Sequence, residues 1–342
     1  MDHHNMTYLY YPSQTMDSYS DLEDIIAYQN VISRAMHTYI GILLPLGLLS
    51  GIFCTIIIIK NNIRSHIFEN LDFYILNLTI TDITITLYSF TVITRPDYLE
   101  ITNVSCSVLA SFFNLSYFYS QYLLVLMLPM FVIFSNSISN IVVTKARQSP
   151  LVCVCVTLAV SLLLSLLAMS LMGTYWDPDN ITHCQFDPLN SKPAYDFVKF
   201  TAGFCIPSIV IVLFLGFLIA LLKSAEDTTI KKNVKEHLVV LLHISVLFTC
   251  RLFYNIMLLR RTQLKLLGDL MSPGDELITN IAELVMLSGS CINLIFTLTL
   301  HRPCRLGVWN SLQFIKNKCC GTRNANEIEM EGPSNEPLRH NH

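Results

Sequence analysis

Residues 151–172 read LVCVCVTLAVSLLLSLLAMSLM, twenty-two positions without a charge. As a helix rising about 1.5 Å per residue, such a stretch crosses a hydrocarbon core of roughly 30 Å. Working outward from it, six more apolar stretches follow the same rule, at 37–59, 71–92, 106–134, 195–222, 238–259 and 277–300. The second and seventh are the least apolar, and Pro129 interrupts the third. Composition agrees: of 342 residues, 52% are hydrophobic and 14% are charged, against roughly 25% charged in soluble domains. A soluble enzyme is excluded on that ground. The net charge of −3 supplies no basic field for holding nucleic acid. The expected fold is an all-α membrane protein, a bundle of seven transmembrane helices.

An odd number of spans puts the two ends of the chain on opposite sides, and Lys and Arg decide which. With the C-terminus inside, Lys60, Arg64, Lys145, Arg147, Lys223, Lys231, Lys232, Lys235 and six tail residues give fourteen inner cations against seven outer ones. The N-terminus is therefore expected outside, with the first span as insertion signal and no cleaved leader. Of eleven cysteines, only Cys106 and Cys184 then reach the oxidising side. One bridge between them is expected, two free outer thiols being the alternative. Glycosylation signals at Asn5, Asn103 and Asn180 also fall outside, whereas those at Asn77 and Asn114 lie within spans and should be unused.

The chain divides into an extracellular segment (1–36), the bundle (37–302), a surface helix (303–320) and a disordered cytoplasmic tail (321–342). After Pro303, Leu306, Trp309, Leu312 and Ile315 recur at helical spacing beside Arg305, Lys316 and Lys318. That stripe reads as a short amphipathic eighth helix lying on the bilayer. Cys319 and Cys320 follow it as palmitoylation candidates.

These features, with several motifs, resemble a rhodopsin-like G-protein-coupled receptor over about residues 37–320. Asn77-Leu78-Thr79-Ile80-Thr81-Asp82 is similar to the family's N-L-x-x-x-D, whose acid binds sodium. Ser120, fourteen residues after Cys106, stands where the family places a second sodium ligand. Phe204-Cys205-Ile206-Pro207 is similar to F-x-x-P, and Ser290-Cys291-Ile292-Asn293 matches the start of S-C-x-N-P-x-x-Y. The departures are as informative. Met130-Phe131-Val132 replaces D-R-Y, Arg251 and Phe253 replace the Trp and Pro of C-W-x-P, and Thr297 replaces the last Tyr of span seven. Span one has Cys54 where the family has Asn, and Leu215 takes the place of the span-five tyrosine.

Arg251 demands an explanation, because a cation at mid-membrane costs about 2.5 kcal/mol or more unless paired or hydrated. It lies roughly 20 Å from the inner edge of its span, and Asp82 roughly 16 Å from the inner edge of its own. Glu283 is at comparable depth from the outer side. Depth does not choose between them. The resemblance, which puts the family's Trp position just above the span-two acid, implies an Arg251–Asp82 pair first, in a sodium-site-like group with Ser120 and Asn293, with Glu283 and water as the other partners.

The resemblance implies an extracellular ligand, a heterotrimeric G protein and arrestin as partners in a multi-pass plasma-membrane receptor. Phe113, seven residues after Cys106, is not the acid that anchors amines in the family, which disfavours a biogenic amine. With Glu283 and Arg260 it makes a candidate ligand pocket. Tyr19, among Asp17, Asp21, Glu23 and Asp24, resembles a sulfation site and points to a peptide ligand. Phe131, Lys231, Lys232 and Lys235 are the candidate G-protein contacts. Aromatic and Met residues on the spans read as packing; no cofactor, metal site or catalytic motif is expected. Two further readings stay open: a non-signalling scavenger, decoy or regulatory partner, and a transporter or channel using Arg251, Asp82 and Glu283.

Overall fold

A computed structural model describes residues 22–65, 70–93, 100–135, 149–172, 181–183, 191–224, 238–267 and 272–328. The first helix, α1 (Leu22–Thr38), runs through a π turn (Tyr39–Leu43) into α2 (Leu44–Ser65). Next come α3 (Asn70–Ile93), strand β1 (Glu100–Thr102), α4 (Asn103–Ser135) and α5 (Pro150–Ser170). Strand β2 (Ile181–His183) precedes α6 (Pro193–Phe200), a second π turn (Thr201–Cys205) and α7 (Ile206–Ser224). The chain ends in α8 (Leu238–Leu267), α9 (Pro273–Leu300) and α10 (Arg302–Ile328).

Among the described residues, five helical segments are long and apolar enough to cross a membrane: Asn30–Ile63, Pro150–Ser170, Pro193–Lys223, Leu238–Leu267 and Leu277–Leu300. The other two expected spans fall on helices α3 and α4. Both turn polar side chains inward. Thr79, Thr81, Asp82, Thr86 and Ser89 of α3, and Asn114, Ser120 and Gln121 of α4, are all buried. Helices at the middle of a bundle carry polar side chains because they face protein rather than lipid. Peripheral α5 and α7 reverse the pattern, exposing Leu151, Leu163, Val212 and Leu213. Their contacts agree, with α4 packed along α5, α3 and α7, and α9 along α8, α2 and α3.

Both π turns have one cause. Pro45 and Pro207 carry no N–H for the carbonyl four residues back, at Gly41 and Gly203, and the helix widens just before each proline.

Three details differ from the sequence expectation. The first helix begins at Leu22, inside the segment 1–36 expected to precede the bundle. A two-stranded antiparallel sheet joins β1 to β2, pairing Glu100 with His183 and Thr102 with Ile181, where β-branched Ile and Thr favour extended backbone. Finally, α10 passes the expected limit at 320 and ends at Ile328, with no proline between Pro303 and that end to stop it sooner.

Among the described residues the core forms a small cluster around Ile32 and two large ones. One, in the half that holds the β1–β2 sheet, gathers Tyr39, Phe113, Tyr117, Phe118, Tyr195 and Tyr254. The other, in the half that holds α10, gathers Cys54, Tyr74, Met127, Phe131, Val240 and Cys304.

Candidate functional site

A polar group lies between the two clusters. Tyr117, Ser120 and Gln121 fall three and four residues apart and so share one face of α4; Arg251 and Asn255 do the same on α8. Arg251 is fully buried at 1% exposure. Its guanidinium donates to Ser120 Oγ and Gln121 Oε1, donates a longer bond of 3.4 Å to the Tyr117 carbonyl, and lies 4.8 Å from the centre of the Tyr117 ring. Asn255 Nδ2 donates to Tyr117 Oη at 2.9 Å. Sequence reasoning found Arg251 and Ser120 but missed Tyr117, Gln121 and Asn255; the polar spacing on α4 was the available signal.

Asp82, also buried, accepts from Asn293 Nδ2 at 3.4 Å. Among the described residues Arg251 forms no ion pair with Asp82 or Glu283, although Arg251 and Asp82 interact electrostatically across the core. The reason is reach: the guanidinium is spent on α4, beside Asp82 rather than against it. The four residues grouped from sequence thus fall into two hydrogen-bonded couples, Arg251 with Ser120 and Asp82 with Asn293. A sodium ion fits this set poorly, because the Ser120 oxygen already serves a resident cation that also repels a second one. Asp82 Oδ1, Gln121 Nε2, Arg251 Nε, Asn255 Oδ1 and Asn293 Oδ1 have no protein partner among the described residues, a density of open polar atoms suited to bound water.

In the sheet half, Phe113 is buried and stacks on Tyr88 with ring centres 5.0 Å apart. Glu283 is half-buried and partnered. Arg260 faces solvent and pairs with Asp275 at 2.7 Å; that guanidinium holds the Asp275 carboxyl below the usual carboxylate range. Lys265 closes on Asp196 at 2.8 Å and on Ser191 Oγ at 2.9 Å, tying α8 to α6. Of the three proposed pocket residues, only Arg260 presents a charge to solvent.

The α10 half is mostly apolar. Phe131, at the position of the family's arginine, is wholly buried among Met127, Val240 and Ile244 rather than presented to a partner. His243 Nε2 of α8 lies 3.0 Å from Thr297 Oγ1 of α9, joining the last two helices at the position of the family's tyrosine. At the foot of α9, His301 Nε2 donates to Asp72 Oδ1 at 3.0 Å. Burial alone would lower the His301 pKa, but hydrogen bonds to Asp72 and Cys304 and the Asp72 charge raise it to about 9. Cys304 adjoins Cys54, so span one, span two and α10 meet there.

Asn103 is the first residue of α4. Cys106 is disulfide-bonded, and Cys184 lies outside the described residues, as do Tyr19, Asn5, Asn180, Lys231, Lys232 and Lys235. Cys319 and Cys320 fall within α10.

A predominantly helical, multi-pass architecture with inward polar groups and outward apolar faces defines an integral membrane protein. The sequence matches the 7 transmembrane receptor (rhodopsin family) profile over residues 51–295, and the chain belongs to that family. Its members are receptors, not enzymes. No curated protein matches the chain.

Proposed function

We propose that this chain is a plasma-membrane receptor that answers an extracellular peptide and couples atypically to a heterotrimeric G protein, with arrestin as a further partner. The observation that carries the atypical coupling is the Arg251 bridge from α8 to Ser120 and Gln121 of α4. A lock between spans three and six at mid-membrane takes over the role that the family's D-R-Y arginine has at the inner edge. Ligand occupancy on the outer side shifts spans five and six, breaks the bridge and opens the inner ends of the bundle. Lys231, Lys232 and Lys235 then meet the G protein.

Several further assignments belong to this reading. Cys106 bridges to Cys184, a pairing supported by the β1–β2 sheet, which sets His183, the residue before Cys184, opposite Glu100, six residues before Cys106. Asn5, Asn103 and Asn180 are glycosylated outside, α10 lies on the inner leaflet, and Cys319 and Cys320 carry palmitate. Ligand affinity is insensitive to sodium, because Arg251 supplies the cation.

Basal G-protein dissociation in cells tests the reading, comparing the wild type with Arg251→Trp and Phe131→Arg at matched surface display. Signal in the wild type that changes in Arg251→Trp supports coupling through the bridge. Silence in the wild type with signal gained in Phe131→Arg favours instead a non-signalling receptor, a reading to which the burial of Phe131 lends weight.

A further inference from the structure

Lys199 lies in the last turn of α6 with its side chain fully buried, at 0% exposure. A lysine ammonium in such a place loses most of its hydration and needs strong local compensation. Four rings surround it. Nζ lies 5.1 Å from the centre of Phe113, 5.3 Å from Tyr254, 5.4 Å from Tyr117 and 5.8 Å from Tyr195. All four distances fall within the roughly 6 Å over which a cation is attracted to an aromatic face.

The enclosure is built from three helices. Phe113 and Tyr117 lie one turn apart on α4, Tyr195 lies one turn before Lys199 on α6, and Tyr254 comes from α8. The phenol hydroxyls of two rings are engaged at the rim: Asn255 Nδ2 donates to Tyr117 Oη at 2.9 Å, and Asn114 Nδ2 to Tyr195 Oη at 3.1 Å. With their edges held, these rings keep their faces toward the ammonium. Gly203 lets the wall close, since a Cβ there would stand 2.7 Å from the Tyr117 ring and 2.8 Å from the Phe118 ring.

Rings arranged in this way around a nitrogen make an aromatic cage, whose chemistry selects alkylammonium ions. We infer that this cage is an alkylammonium-binding site whose resident occupant is the chain's own Lys199 side chain. The cage is filled in cis, so a free amine finds no vacancy in the wild type. The site becomes available when Lys199 is cut back, and it then takes a primary alkylammonium of the length removed. This inference concerns the chemistry of the sheet half alone and holds whether or not the chain couples to a G protein.

The test is chemical rescue in the full chain. Lys199→Ala removes three carbons and the ammonium, a portion that n-propylammonium replaces. Thermal unfolding of the detergent-solubilised variant should show a saturable stabilisation of several degrees by n-propylammonium chloride. The wild type should not respond, and neutral 1-propanol should not substitute. Lys199→Met, which keeps the stem and discards the charge, should melt below the wild type and gain nothing from the amine. Where Lys199→Ala fails to reach the cell surface, n-propylammonium in the medium should restore display. Equal effects of amine and alcohol, equal effects on wild type and variant, or no rescue of either stability or display would overturn the assignment. So would a Lys199→Met protein as stable as the wild type.

Discussion

At mid-membrane α8 reaches α4 with a guanidinium, seating Arg251 on Ser120 and Gln121. About 15 Å further along α4, toward α10, the same two helices contribute Phe131, Met127, Val240 and Ile244 to one apolar cluster. The charged contact is the deeper one, where desolvation is most costly, and it succeeds because α4 offers two side-chain oxygens and an aromatic face within one turn. The apolar contact stands where the family has its arginine, and packing there needs no counter-ion. The contrast teaches that a cation can be moved along a bundle if the receiving helix supplies hydrogen-bond acceptors at three- and four-residue spacing.

The largest effect expected on this contrast comes from Phe131→Ala. Removing a fully buried ring leaves a cavity, which costs about 3–5 kcal/mol, and thermal unfolding of the solubilised receptor should register it as the steepest loss among these variants. A Phe131→Leu protein should recover most of that loss, whereas recovery by a polar residue of similar size would show that the contact is not held by packing.

Next is the one ion pair in the α10 half among the described residues, His301–Asp72. Because the folded pKa of His301 is raised from 6.5 to about 9, its contribution is complete below pH 6.5 and is lost as pH rises through 9. The shift corresponds to roughly 3 kcal/mol. Melting curves of wild type and His301→Gln should therefore be furthest apart near pH 6 and converge above pH 9. Parallel curves across that range would remove the ion pair from the account.

Arg251→Met should cost less, about 1–3 kcal/mol, since stranding the Ser120 and Gln121 oxygens is partly offset by relief of the buried charge. Combined with Phe131→Ala, its effect should add, because sites so far apart share no partner. Strong non-additivity would mean that the two contacts form one unit. The smallest effect belongs to Gly203→Ala, about 1–2 kcal/mol from crowding Tyr117 and Phe118. Thermal unfolding of the solubilised variant checks it.

Much of the fold was legible in the residues. Uninterrupted apolar runs placed the helices, and the resemblance placed Ser120 and Asn293 in the core. The site was legible only in part. Lys199 reads in sequence as one more cation near an outer edge, and Tyr117, Tyr195 and Tyr254 read as packing, because nothing local signals that three helices bring them around one nitrogen. Depth left Asp82 and Glu283 both within reach of Arg251 and the resemblance favoured Asp82, but neither says which way a helix is rotated.

By itself, then, the sequence determined that these helices lie in a membrane and that Arg251 needs an internal partner, since both follow from the cost of transferring polar groups into hydrocarbon. Which partner it has, and which rings enclose Lys199, only the tertiary structure decided. Helical periodicity defines the face a residue occupies, while the neighbour that face meets depends on the rotation and tilt set by packing across the whole bundle.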